Sequence, residues 1–150
     1  MRKFAIFTLG CVALTGCTTL RPDLSFVAPE ATAIDMNALA ADAAHHLAAT
    51  YPPAKTTFVV YPTASIRQDS ATLAFSEALR VTGFGVVEAP RRADATAPFG
   101  VPVRYRITPF DAGILLRLEY QGIAASRFYR RGADGALMQS APFTVREAAL

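Results

Sequence analysis

The uncharged run Phe4 to Leu14 (FAIFTLGCVAL) comes after the basic start Met1-Arg2-Lys3 and leads straight into Leu14-Thr15-Gly16-Cys17. Crossing ~30 Å of hydrocarbon as a helix takes about 20 apolar residues, so this run is too short for a permanent span and has the proportions of a signal-peptide h-region. The beginning of the chain is thereby removed from the fold. The folded body must be built from the residues beyond Cys17, and the composition of the whole chain overstates both its apolar content and its charge.

The tetrad Leu14, Thr15, Gly16 and Cys17 is similar to the bacterial lipobox. There, small residues let a peptidase seat an extended backbone, and the cysteine thiol receives a diacylglyceryl group before the bond on its N-terminal side is cut. The expected layout is a lipoprotein signal peptide over residues 1–16, a lipidated N-terminus and tether over 17–33, and one α+β periplasmic domain over 34–150. Cys11 leaves with the signal, so Cys17 is alone and no intramolecular disulfide is possible. Loss of Arg2 and Lys3 leaves thirteen basic residues against twelve acidic ones, so the +3 of the full chain becomes +1. One acyl chain such as palmitate holds a protein only marginally, whereas the several chains of a bacterial lipoprotein anchor it stably. Thr18 stands where aspartate commonly marks inner-membrane retention, which favours the periplasmic side of the outer membrane in a Gram-negative cell. Residues 18–33 (TTLRPDLSFVAPEATA) carry two prolines and no sustained period. They read as a tether able to reach ~50 Å, or as a short arm docked through Leu24, Phe26 and Val27.

Beyond that segment the periodicity is helical. Met36, Leu39, Ala40, Ala43 and Leu47 fall on one stripe of an alanine-rich segment from Ile34 to Thr50, which Thr32 or Asp35 can cap and Tyr51-Pro52-Pro53 ends. The β-branched and aromatic run Thr56 to Tyr61 predicts a buried strand. A second helix runs from Asp69 or Ser70 to about Thr82, with Leu73, Phe75, Ala78 and Leu79 inward and Gly83 as a left-handed cap. Phe84 to Glu88 then completes a β-α-β unit with a parallel strand pair.

From Val103 the period becomes two. Val103, Tyr105 and Ile107 alternate with Arg104, Arg106 and Thr108, and after Asp111-Ala112-Gly113 a second run alternates Ile114, Leu116, Leu118 and Tyr120 with Leu115, Arg117, Glu119 and Gln121. These predict a hairpin whose turn glycine takes positive φ. Ile123 to Arg130 and a last strand from Ala136 to Ser140, or on to Val145, come next. The expected fold is α+β: two helices packed on one face of a mixed, mainly antiparallel sheet of five to six strands.

Motifs for chemistry are scarce. His45 and His46 are adjacent on a helix, about 100° apart, which is a poor chelate and reads as surface histidine. There is no G-x-S-x-G, no P-loop and no G-x-G-x-x-G, and Gly83-Phe84-Gly85 opens a strand rather than a helix. No catalytic residue, cofactor, metal or small-molecule substrate is expected. What the mature chain does carry is arginine: twelve, against Lys55 as its one lysine. Arg104, Arg106, Arg117, Arg127 and Arg130 lie on or beside the antiparallel strands, with Arg131 next to them, and form a candidate partner interface, since guanidinium pairs bidentately and stacks on aromatics. Neutralisation by Glu119 and its neighbours is the competing reading. The low net charge argues against direct contact with nucleic acid.

Taken in order, the LTGC box, Asp35-Met36-Asn37-Ala38-Leu39-Ala40, Pro53-Ala54-Lys55-Thr56-Thr57-Phe58, Phe75 to Val87, Ile114 to Leu118, and Ala125-Ser126-Arg127 with Tyr129 give the chain its family likeness. It resembles the TrbH family, lipoproteins of the Trb-type conjugative transfer apparatus, a plasmid-encoded type IV secretion system. The resemblance implies an outer-membrane lipoprotein that is not an enzyme, held by lipid on Cys17 and working with other Trb-type secretion subunits in mating-pair formation and plasmid DNA transfer. The alternative is a free-standing periplasmic binding lipoprotein for cell-wall glycan or a small ligand.

Overall fold

The computed structural model describes residues 24–65, 69–90 and 98–147. A two-residue strand, β1 (Phe26–Val27), precedes helix α1 (Ala33–Ala48). The helix begins in a reciprocal capping box: the Asp35 amide donates to the Thr32 hydroxyl at 3.3 Å, and the Thr32 amide donates to the Asp35 carboxylate at 2.9 Å. Tyr51-Pro52-Pro53 prevents its continuation, and a 3-10 turn (Pro53–Lys55) leads into β2 (Thr57–Val60). Helix α2 (Asp69–Val81) and β3 (Gly85–Glu88) complete the β-α-β unit, with β2 and β3 parallel. Gly83, at φ +99°, supplies the left-handed residue that turns the chain out of α2.

The antiparallel half consists of β4 (Val101–Phe110), β5 (Gly113–Tyr120), β6 (Ile123–Arg131), and the short β7 (Leu137–Gln139) and β8 (Thr144–Glu147). The two short strands pair end to end along the same edge of β6. The sheet order is β3-β2-β4-β5-β6-β7, with β1 also on β4 and β8 also on β6. Gln121 and Gly122, at φ 45° and 72°, make the two-residue turn between β5 and β6, the twist that suits a tight hairpin.

Three details depart from the sequence reading. The sheet has eight strands, more than the alternating runs define, because β1 and β8 are too short to show a period. In the first hairpin turn the residue at positive φ is Asp111, at 49°, not Gly113. Gly113 is required for another reason: a Cβ there would collide with the Tyr129 carbonyl and come within 2.8 Å of the Phe128 ring. Leu73 points outward, 61% exposed, since it sits about 200° around α2 from the buried Phe75. Phe75 and Leu79 do face inward, Ala78 packs partly buried against the core, and Ala71, Thr72 and Ser76 complete the inward stripe of α2.

Of the two readings of the segment before α1, a docked arm describes Ser25 to Ala28. Val27 is buried beside Ile107, and Ala28 donates to the Ile107 carbonyl at 2.9 Å. Ser25 closes the seam where β1 and β2 meet end to end on β4: its hydroxyl donates to the Tyr61 carbonyl at 2.5 Å and accepts from the Tyr105 amide at 3.1 Å. Residues 18–23, like the lipobox tetrad and Cys17, lie outside the described residues.

Both helices cover the same face of the sheet. The core is Met36, Leu39, Ala43 and Leu47 of α1 and Phe75 and Leu79 of α2 against Phe58, Val60, Tyr105, Ile107, Leu116 and Leu118. Alanines on α1 let the helices approach each other closely, and Tyr105 stacks flat on Phe75 with ring centroids 4.1 Å apart. The Tyr105 hydroxyl shares a hydrogen bond of 2.9 Å with Thr72, so its polar end is satisfied inside the core.

Candidate protein interface on the open sheet face

Strand alternation assigns every β4–β6 side chain to one of two faces. On the helix-covered side stand Tyr105, Ile107, Leu116 and Leu118, and with them, through the pairing of Leu116 with Arg127, the β6 residues Arg127, Tyr129 and Arg131. On the open side stand Arg104, Arg106, Thr108 and Phe110 of β4, Leu115, Arg117 and Glu119 of β5, and Ser126, Phe128 and Arg130 of β6. The structure therefore brings four of the five interface arginines predicted from sequence onto one surface, Arg104, Arg106, Arg117 and Arg130, and places Arg127 on the other.

Arg127 faces α1 because Asp42 is there. Its Nη1 donates to both Asp42 carboxylate oxygens, at 2.8 and 2.7 Å. The same carboxylate accepts from the Tyr129 hydroxyl and from Gln139 Nε2 at 2.8 Å. Seven residues earlier on the same side of α1, Asp35 accepts from Arg131 at 3.1 and 3.0 Å. Burial alone would raise the Asp35 carboxyl, but the hydrogen bonds from Arg131 and Thr32 outweigh it and hold it below the ordinary carboxylate value. Burial and the hydrogen bond to Asp42 push the Tyr129 phenol well above its ordinary value. Two turns of helix and four residues of strand have similar lengths, about 10 and 13 Å, so a pair of aspartates seven apart matches a pair of arginines four apart.

His46 joins this helix-side network and is not a surface histidine. Its ring stacks on Phe143 with centroids 4.1 Å apart, its Nε2 lies 3.1 Å from the Tyr120 hydroxyl, and Arg127 covers Phe143 at 4.2 Å. Desolvation by burial, with repulsion from Arg127, lowers its pKa below the usual histidine value. His45 is exposed. Among the described residues no three His, Cys, Asp or Glu side chains converge to hold a metal ion. The depression between β1 and the starts of α1 and α2, bordered by Val27, Met36 and Ala71, is lined by uncharged side chains among the described residues.

The open face has a different chemistry. Its side chains fall in cross-strand rows: Phe26, Arg106, Arg117 and Ser126; then Thr108, Leu115 and Phe128; then Phe110, Gly113, Arg130 and Met138. Phe26, Phe110 and Met138 are 46%, 58% and 44% exposed. Phe110 meets Phe128 edge to face at 5.7 Å. Arg117 contacts Glu119 at 2.9 Å, and Arg104 lies over the Tyr61 ring at 4.8 Å. Arg106 and Arg130 have no ion pair among the described residues, and Arg106 stands directly opposite Arg117. Like charges in that position destabilise a sheet. The aromatic floor escapes the sequence reading, though Phe110 shares its parity with Arg104, Arg106 and Thr108.

Fold and surface together define the class: a small α+β domain with one sheet face sealed by two helices and the other, over β4–β6, uncovered by any helix among the described residues, arginine-rich and aromatic. A family model described as "Conjugal transfer protein TrbH" matches residues 20–148, and the chain belongs to that family of conjugal transfer proteins. No curated protein matches the chain, and no solved structure does. No described helix is long and apolar enough to cross a membrane.

Proposed function

We propose that the chain is a lipoprotein anchored in the outer membrane through Cys17 and that it acts in mating-pair formation by holding other subunits of a conjugative type IV secretion apparatus, without catalysing a reaction. The family match across residues 20–148 carries this reading. Three features support it: the uncharged run ending in Leu14-Thr15-Gly16-Cys17, the use of the acidic side chains Asp35 and Asp42 for helix docking, and an exposed arginine and phenylalanine surface suited to binding protein. Six residues separate Cys17 from Leu24 and span at most ~20 Å. With β1 fixed in the sheet, the domain stays close to the bilayer rather than ranging from it.

The test is Cys17→Ala in the full chain. Membrane fractionation and DNA transfer are expected to fall together, and normal transfer by a soluble form would refute the lipid-dependent part. Purified protein that retains peptidoglycan and no secretion subunit would favour a free-standing binding lipoprotein.

A further inference from the structure

We infer that the open sheet face is a docking surface for an acidic segment of a partner protein, with carboxylates held by Arg106, Arg117 and Arg130 and an apolar side chain seated on Leu115 and Phe128 between them. The identification of that partner as a secretion subunit rests on the function proposed above; the surface chemistry does not.

Arg106 and Arg117 are directly paired residues of antiparallel strands. Cβ atoms in such a pair are about 5 Å apart, so two guanidiniums repel there unless an anion lies between them. Glu119 reaches Arg117 by contact at Nε, and the Arg117 side chain remains 42% exposed. Arg106 has no such partner among the described residues. A single carboxylate from outside would bridge both, the fork geometry for which arginine is suited. Arg130 stands alone two rows away, between Gly113 and Met138, as a second, single contact for an acidic group.

Between the arginine rows lie Leu115 and Phe128, half-buried at the level of the sheet, with the more exposed Phe26 and Phe110 at the ends of those rows. An apolar floor inside a charged rim is the layout of a protein interface. Phe26 shares its row with Arg106 and Arg117, so a bilayer that took up the exposed phenylalanines would have to bury both guanidiniums with them. A second copy of the chain would bring arginine onto arginine. Charge complementarity therefore selects an acidic protein segment over lipid or self-association.

The experiment places a photo-crosslinking phenylalanine derivative at Phe110 of the full chain in donor cells that carry the transfer apparatus. The expected adduct is a partner peptide containing aspartate or glutamate. Arg106→Glu is expected to cut its yield about tenfold or more, the effect of losing one buried charge-assisted contact. Replacing the carboxylate of that peptide by arginine should restore the yield with Arg106→Glu. Because Arg106→Glu creates an opposite-charge pair with Arg117, its melting temperature should equal or exceed the parent's, which separates lost docking from lost folding. Adducts only to lipid, only to a second copy, or to a peptide without carboxylates would overturn the proposal, as would full yield with Arg106→Glu. If deleting the gene leaves DNA transfer unchanged, yet cells that keep the gene yield the acidic adduct and its charge-swap rescue, the transfer reading fails and the docking surface stands.

Discussion

Asp42 and Arg127, 85 residues apart in sequence, form a two-pronged ion pair at 2.7 and 2.8 Å that fastens the first helix to the sheet. Their side chains are 12% and 15% exposed, so neither can be replaced by solvent when the other is removed. Asp42→Ala should lower stability by about 3 kcal/mol, the order found when one partner of a buried pair is lost. Tyr129→Phe, which deletes one donor to the same carboxylate, should cost about 1 kcal/mol. Urea unfolding of both variants checks the ranking, and equal midpoints would show that the pair is not what secures α1.

His46 makes the domain weaken in mild acid. Its pKa in the folded chain is depressed below the unfolded value of 6.5, because burial comes first and Arg127 adds repulsion, while Asp42 partly opposes them. The neutral ring is favoured in the fold, so its contribution is fully present above pH 6.5 and is lost as pH falls from there through the folded value. Melting temperatures between about pH 7.5 and 5 should decline, and His46→Gln should flatten that decline. An unchanged slope in the variant would assign the effect elsewhere.

Gly113→Ala tests the close approach of the β4–β5 turn to β6. The added methyl has no room against the Tyr129 carbonyl and the Phe128 ring, so the hairpin must shift, at about 2 kcal/mol or more. Gly122→Ala, at positive φ but with open space around it, should cost only about 1 kcal/mol. Comparable losses at the two positions would contradict the packing argument.

Thr32→Ala removes the hydroxyl that accepts from the Asp35 amide and should reduce stability by about 1 kcal/mol. The Thr32→Ser variant keeps the acceptor and should unfold at nearly the parental urea concentration.

Arg106→Glu should raise stability by about 0.5 kcal/mol by replacing an arginine pair across β4 and β5 with an ion pair. Thermal melting in low salt gives the clearest reading, since salt screens exposed charges. A lower melting temperature would mean that Arg106 has a structural partner.

The alternating residues of β4 and β5, the alanine stripe of α1 and its cap, and the glycine after α2 are legible in the sequence because each depends on local period or on one backbone conformation. So are four members of the candidate surface, since Arg104, Arg106 and Arg117 share the polar parity of a hairpin and Arg130 lies at its margin. Arg127 is not separable from them by pattern. In Ile123 to Arg131 both Ala124 and Ala125 are small and buried, so the hydrophobic pattern leaves the inward parity open. Pairing with β5 decides it, and a shift of one residue would exchange Arg127 with Phe128 between the faces. His46 likewise reads as exposed from its own segment, because Phe143 and Tyr120 come to it from distant parts of the chain.

Local pattern is thus enough for the class of fold, the order of helices and longer strands, and the bias toward arginine. The role of each arginine depends on contacts made across the fold. Asp35 and Asp42 draw Arg131 and Arg127 against the helix, where charges must be paired, and leave Arg106, Arg117 and Arg130 on a face where water or a partner can meet them.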